Sequence, residues 1–343
     1  MHPQPDNSTR LLVVDPEHAR IAGRNMRNLP ELLERGDVLI VNDAATLPAS
    51  LAAQTAQGAS IELRLLGPEN AGRFSAIVFG AGDYRMRTED RPAPPPLELG
   101  EVLRVGPQLR ATVLGHSQRS QRWIDLQFDL RDAALWRALY AWGKPVQYAY
   151  RTEPLALWSV QTAYATRPWA SEMPSAGKPL SVEILLALAA RGVTIAMLTH
   201  AAGLSATGDP ALDRALPLPE RYDIPERTLR AIHSGERVIA VGTSVVRALE
   251  AAYLRGHGTL QAGEGEASLR ITPEHKLQVV DGLLTGIHSP EESHFELLGA
   301  FMDKTLLEQS HLHARANAYR EHELGDECLI LRGALTQPLA AAA

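Results

Sequence analysis

The chain has 343 residues, 45% of them hydrophobic and 22% charged, with a formal net charge of −6. That balance supports a sizeable core and, on length, about two domains or one large domain with an insertion; the acidic total argues against a protein built mainly to grip phosphates. No apolar run approaches the ~18 residues of a membrane span, "MHPQPDNSTR" lacks the basic-then-apolar order of a secretory signal, and the single Cys328 excludes an internal disulfide, so a cytoplasmic protein with no membrane partner is expected.

In chain order, "RLLVVD" and "NLPELLERGDVLIVNDAATLPASL" predict strand, helix and strand, with Gly36-Asp37 turning the chain into the apolar run Val38–Val41. After Leu51, short alternating runs recur with glycine between them: "GASIELRLLG", "RFSAIVFG", "LELGEVLRVG", "LRATVLGH" and "RWIDLQFDL". That rhythm predicts a small antiparallel sheet or barrel, with "RPAPPPLELG" (91–100) as a stiff connector inside it. Past residue 150 the pattern predicts a helix over Ser181–Arg191, a strand over Val193–Leu198, a helix stopped by Gly235, a strand over Val238–Val241, and a further helix after Gly242-Thr243-Ser244. "HKLQVVDGLLTGIHSPEESHFELLGAFMDK" adds a strand, a polar loop and a helix, and "GDECLILRG" a late strand. Strands alternating with helices imply parallel pairing. The expected fold class is therefore α/β: a discontinuous domain of mostly parallel strands (1–51 and 151–335), an inserted small antiparallel β-barrel domain (52–150), and a disordered tail (336–343).

Ligands of open parallel sheets bind beyond the carboxyl ends of the strands. The polar ends here are Asn42-Asp43, "THAAGLSATGD" (199–209), Gly242-Thr243-Ser244 and "TGIHSPEES" (285–293), and "SEMPSAGKP" (171–179) leads into a helix. A helix opening after Gly242 has unpaired N–H groups and a partial positive charge, so a carboxylate or phosphate would be stabilised there. Thr243 or Ser244 is expected to cap it, and Arg247 to add an anion contact. His200 and His288 each follow a predicted strand, with Glu291 and Glu292 nearby, and neutral imidazole is the usual proton shuttle near neutral pH. The histidine spacings fit no zinc signature, no GxSxG elbow or Walker loop occurs, and Cys328 lies in an apolar strand as an inert thiol. The residues define a pocket of hydroxyls, amides, two imidazoles and an anion site; the reaction class does not follow from them.

The segments "STRLLVVD", "GDVLIVNDAATLPASL", "VQTAYA", "PSAG", "AVGTSVVRALE", "VVDGLLTGIHSPEESHFELLGAF" and "YREHELGDECLI" stand in the order of the S-adenosylmethionine:tRNA ribosyltransferase-isomerase family, which the chain resembles over nearly its whole length. The resemblance implies an α/β domain with an inserted barrel. It also implies an enzyme that transfers and isomerises the ribosyl part of S-adenosylmethionine to 7-aminomethyl-7-deazaguanine in tRNA, giving epoxyqueuosine, adenine and methionine. S-adenosylmethionine is then a substrate, no metal is required, and a base removes a proton from the carbon that the sulfonium makes acidic. Set against this reaction, His200, His288 and the nearby Glu291 are the expected catalytic residues, from their place at the predicted strand ends. Asn42, Asp43, Ser175, Ala176, Gly177, Thr199, Gly203, Gly242, Thr243, Ser244, Arg247, Thr285, Glu292, Tyr319 and Asp326 are the expected substrate-binding residues.

The chain departs from the family pattern in places. Ala45 and Ser50 replace arginines, Lys178-Pro179-Leu180 drops a histidine, and Glu291 replaces a lysine. Basic and aromatic groups hold phosphates and splayed bases, so these losses and the acidic total weaken the expected hold on tRNA. The alternatives are a paralogue using a small-molecule acceptor and a non-catalytic protein that binds a nucleoside ligand; a monomer is expected in each case.

Overall fold

The Asp37–Asn42 strand is buried along its whole length and forms the middle of the molecule. It pairs in parallel with Thr194–His200 on one side and Arg237–Val241 on the other, and Arg237–Val241 pairs in parallel with Gly282–Gly286. The computed structural model describes residues 9–68, 70–290, 293–322 and 324–335; Glu291, Glu292 and the predicted tail lie outside the described residues.

Around this parallel centre the flanking pairs are antiparallel, except that Arg10–Asp15 runs parallel to Glu327–Leu331. Glu220–Ile224 and Gly263–Ala267 extend one side, and Glu327–Leu331, Arg10–Asp15 and Arg20–Asn25 the other, making nine strands among the described residues. Glu327–Leu331 runs against its neighbour because two helices, Ser293–Leu298 and Lys304–Ala316, follow Gly286 and return the chain to the edge it left. The antiparallel reversal thus brings Asp326 and Glu327 to the same edge as the carboxyl ends of the four parallel strands.

The predicted α/β elements are present. Ser181 caps the Val182–Ala190 helix by accepting from the Ile184 N–H, Gly235 ends the Glu226–Ser234 helix, and the Arg237–Val241 strand leads through Gly242 into the Thr243–Arg255 helix. That helix lays Val245, Val246, Leu249 and Ala252 into the core under the sheet, which removes apolar area from water at ~25 cal/mol per Å². Cys328 is a buried free thiol, and burial pushes its pKa up to about 12.

The chain leaves the sheet through Ala44–Thr46 and returns through Arg167–Ala170, and these two short strands pair in parallel as a neck. Between them six strands close into a barrel: Ser50–Gln54, Ser60–Pro68, Arg73–Phe79, Val102–Arg104, Arg110–Ser117 and Ser120–Phe128. Alternate residues such as Leu63, Phe74, Val113 and Leu126 fill it, and Leu135 and Leu139 of the Asp132–Trp142 helix join that core. The hairpin between the last two barrel strands reaches back to the sheet: Ser120 donates to Asp209, and Arg122 donates to the Gly208 carbonyl at 2.8 Å. No helix among the described residues is long and apolar enough to cross a membrane.

Candidate active site

The sheet edge facing the barrel collects most of the predicted residues into three clusters. In the first, Asn42 fastens the ends of two parallel strands: its Nδ2 donates to the His200 carbonyl at 3.0 Å and its Oδ1 accepts the His200 N–H at 2.9 Å. Asp43 accepts from the Thr199 hydroxyl at 2.6 Å and the Thr166 hydroxyl at 3.0 Å. The His200 ring is fully buried, with Nε2 3.4 Å from Glu220 Oε2, and neither ring nitrogen has a hydrogen-bond partner among the described residues. Burial, reinforced by the Arg247 charge, holds its pKa well below the usual imidazole value, so it is neutral at pH 7. His200 thus stands buried against Glu220.

Glu220, which opens a flanking strand, is the centre of this cluster. Its Oε1 accepts the Gly203 N–H, and its Oε2 pairs with Arg247. Burial raises its pKa, opposed by Arg247. Arg247 accordingly does not serve the Gly242 turn as expected. Its guanidinium turns away, bonding Glu220 and the carbonyls of Leu218, Ala267 and Leu269, because a buried guanidinium needs acceptors for its donors.

The second cluster surrounds the turn after the Arg237–Val241 strand. Gly242 itself is the N-cap, at φ +90°, a left-handed conformation that glycine adopts without strain. No side chain caps the helix, which corrects the expectation for Thr243 and Ser244: Thr243 already occupies its first turn. The short 3-10 turn Ser175–Gly177 lies over this helix start, with the Ala176 Cβ 3.7 Å from where a Gly242 Cβ would stand. Gly177 is required beneath Tyr164, whose hydroxyl a Cβ there would strike. Tyr164 Oη is buried and has no partner among the described residues, and burial with the nearby Glu327 and Asp43 raises its pKa. Glu327 is also buried, its Oε2 without a partner, and burial next to Asp326 pushes its pKa well above the usual carboxyl range.

In the third cluster Thr285 Oγ1 and His288 Nε2 are 3.0 Å apart, and the His288 ring stacks on His294 at 5.0 Å. His288 is half-buried, the accessible one of the two predicted imidazoles.

Two further predicted residues, Asp326 and Tyr319, make contacts within the fold. Asp326 accepts the backbone N–H groups of Arg10 (3.0 Å) and Arg320 (2.9 Å) and both their guanidinium groups, which together hold its pKa low despite burial. Tyr319 lies under the Arg10 guanidinium, 4.2 Å from the ring centroid, and over Gly23.

Sequence reasoning missed Glu220, Tyr164, Glu327 and Glu172. Glu172 is buried, accepts from Ser205 N (2.8 Å) and Ser205 Oγ (2.5 Å) and pairs with Tyr148, tying the 171–177 segment to the loop after His200. Each is a lone polar residue whose place emerges only from pairing distant strands; Tyr164, Glu172 and Glu327 fell inside the quoted segments "VQTAYA", "SEMPSAGKP" and "YREHELGDECLI", and Glu220 in none. One group among the described residues has metal-ligand proximity, Asp15 with Glu17 and His18. It lies at the opposite sheet edge, where the Asp15 carboxylate already accepts from Glu17, Gly333 and Leu335 N–H groups and stands 3.0 Å from His18 Nδ1.

The comparisons with known proteins agree with this architecture. The model of the family described as queuosine biosynthesis protein matches residues 2–330. The S-adenosylmethionine:tRNA ribosyltransferase-isomerase of Thermus thermophilus is 34% identical, over 96% of this chain and 94% of that one. The enzyme of the same name from Rubrobacter xylanophilus is 32% identical, over 96% and 92%. A crystal structure of S-adenosylmethionine tRNA ribosyltransferase from Thermotoga maritima aligns with a TM-score of 0.50 at 25% identity, covering 96% of this chain and 94% of that one. By its match along almost the whole sequence, the chain belongs to the queuosine biosynthesis protein family.

Proposed function

We propose that this chain is an S-adenosylmethionine:tRNA ribosyltransferase-isomerase. It would transfer and isomerise the ribosyl moiety of S-adenosylmethionine onto 7-aminomethyl-7-deazaguanine in tRNA, giving epoxyqueuosine with release of adenine and methionine. The observation that carries this reading is the near full-length identity with enzymes of that name. In this reading the protein acts as a cytoplasmic monomer, with tRNA as its macromolecular partner. Residues 1–51 and 151–335 hold the nucleoside, and the barrel unit, 52–150, covers it.

The geometry supports the roles in part. The uncapped helix start leaves the Thr243 and Ser244 backbone N–H groups to favour an anion, suited to the methionine carboxylate. His288, accessible and set against the Thr285 hydroxyl, suits proton transfer from the carbon beside the sulfonium. Asn42, Asp43 and Thr199 fix the floor beside the Gly242 turn, on the side away from His288.

The test is adenine release from S-adenosylmethionine, followed by chromatography with and without tRNA that carries the deazaguanine precursor. Release that depends on the tRNA is expected. Release independent of tRNA would replace the reading with a small-molecule acceptor, and binding without release would leave a ligand-holding protein.

A further inference from the structure

The barrel meets the sheet at more than its neck. After the Asp132–Trp142 helix the chain stays with the barrel: Lys144 pairs with Ser50, and the Gln147 carbonyl accepts from Arg64 Nη2 at 3.4 Å. The next residue, Tyr148, crosses to the sheet side. Its hydroxyl donates to Glu172 and accepts the Ala206 N–H at 3.2 Å, while Glu172 also accepts the Ser205 N–H and hydroxyl. Three segments therefore converge on one buried carboxyl: the barrel's exit, residues 171–177, and the loop after His200. The barrel hairpin grips that same loop further on, at Gly208 and Asp209.

Burial and charge suit this joint. Arg64, only 1% exposed, pairs with Glu62 at 2.9 Å and stands 5.0 Å from the centroid of the Tyr148 ring, which it holds from behind. Burial raises the Glu172 pKa, opposed by the Ser205 and Tyr148 hydrogen bonds and by the Arg64 charge. Burial and the adjoining Glu172 push the Tyr148 pKa well above its ordinary value, so the phenol keeps the proton that it donates. Each Glu172 oxygen takes a hydroxyl, Oε1 from Tyr148 and Oε2 from Ser205, which fixes the carboxyl plane from both ends.

Both sheet-side segments run on into the candidate site. Ala176 lies over the Gly242 turn, Gly203 donates to Glu220, and Ser171 N donates to the Ala202 carbonyl at 2.8 Å, joining the two segments. A displacement at Glu172 is thus passed to both walls. We propose that Glu172 and Tyr148 are positioning residues, whose bond seats the barrel on the sheet and sets residues 171–177 and 201–207 where turnover needs them. The assignment rests on the reaction proposed above and adds to it two residues that act through others.

The experiment measures adenine release by full-length variants, with the precursor tRNA in excess and well below each melting temperature. Tyr148→Phe keeps the ring over Arg64 and removes the donor. Its kcat should fall at least about tenfold, within the ~100-fold that a misplacement of ~1 Å costs, with KM for S-adenosylmethionine unchanged. Glu172→Ala should fall as far, and the double variant no further, because the two residues make one contact. Glu172→Gln, whose amide oxygen still accepts from Tyr148, should recover most of the rate. A role in stability alone would lower Tm and leave kcat in place. Unchanged kcat in a folded Tyr148→Phe protein, or additive losses in the double variant, overturns the proposal. Should Tyr148→Phe not fold, Ser205→Ala removes the other hydroxyl from the same carboxyl and is held to the same expectations. If the unsubstituted protein releases no adenine under any condition, the reaction is overturned and amide hydrogen exchange decides the joint. Tyr148→Phe must then speed exchange in both 171–177 and 201–207, and unchanged exchange overturns the joint as well.

Discussion

At one end of the strand edge, Asp326 is met by two backbone N–H groups and two arginines, so its charge is matched from every side. Further along the same edge, His200, Glu327 and Tyr164 are just as deeply placed but retain buried polar atoms with no partner among the described residues. A buried polar atom left unpaired costs ~1–3 kcal/mol, and natural folds seldom keep several together without use for them. The contrast is one of pairing: Asp326 is satisfied from every side, whereas His200, Glu327 and Tyr164, like Arg64 and Arg91 in the barrel, keep buried polar atoms without a partner among the described residues.

The largest expected effect breaks the satisfied end. Asp326→Ala leaves the Arg10 and Arg320 backbone N–H groups without their acceptor and should cost about 2–3 kcal/mol of stability, the arginines themselves being partly solvated, read from the denaturant midpoint; a loss under ~1 kcal/mol would erase the contrast. Glu327 should behave in the opposite sense. Its folded pKa is raised, so its contribution is fully present below the ordinary carboxyl value of 4.5 and is lost as pH rises toward the folded value. Glu327→Gln should then gain on the native protein by roughly 1.4 kcal/mol per pH unit above 4.5, until the folded pKa is passed. Thermal melts at pH 5 and pH 8 check this, and equal differences at both would refute it.

His200 supplies a third test. Its folded pKa is depressed, so stability is present above 6.5 and falls as pH drops below it, by up to ~1.4 kcal/mol per unit. His200→Gln should flatten that acid limb between pH 6.5 and 5; an unchanged slope would place the titration elsewhere. The smallest effect is expected for Ser244→Ala. Since this side chain caps nothing, stability should change by less than ~0.5 kcal/mol, against ~1 kcal/mol for a true cap. S-adenosylmethionine affinity then reports directly on the anion role of that turn.

Much of the fold was legible where periodicity and glycine punctuation act locally. The helices at Val182–Ala190 and Thr243–Arg255 and five of the six barrel strands fall on the predicted runs. The sixth, Ser50–Gln54, hid because Ser-Leu-Ala-Ala-Gln carries little β signal until it pairs with Ser60–Pro68. Arg20–Asn25 hid for a related reason: it is a polar edge strand, paired on one side only, with no apolar face to read. The site was legible as a set of strand ends and illegible as chemistry. Which way Arg247 turns depends on Glu220, a neighbour supplied by a strand that no local pattern ties to it.

The parallel neck formed by Ala44–Thr46 and Arg167–Ala170 has a consequence for how such a protein arises and how it can be rebuilt. The barrel's entry and exit are hydrogen-bonded neighbours, so from the viewpoint of the sheet the whole insertion is a loop whose ends never separate. Closing a loop costs entropy that grows only as the logarithm of its length, so a long excursion at this joint is tolerated almost as readily as a short one. Transplanting a different module there would leave the strand register untouched, and would exchange the roof of the cleft without rewriting its floor.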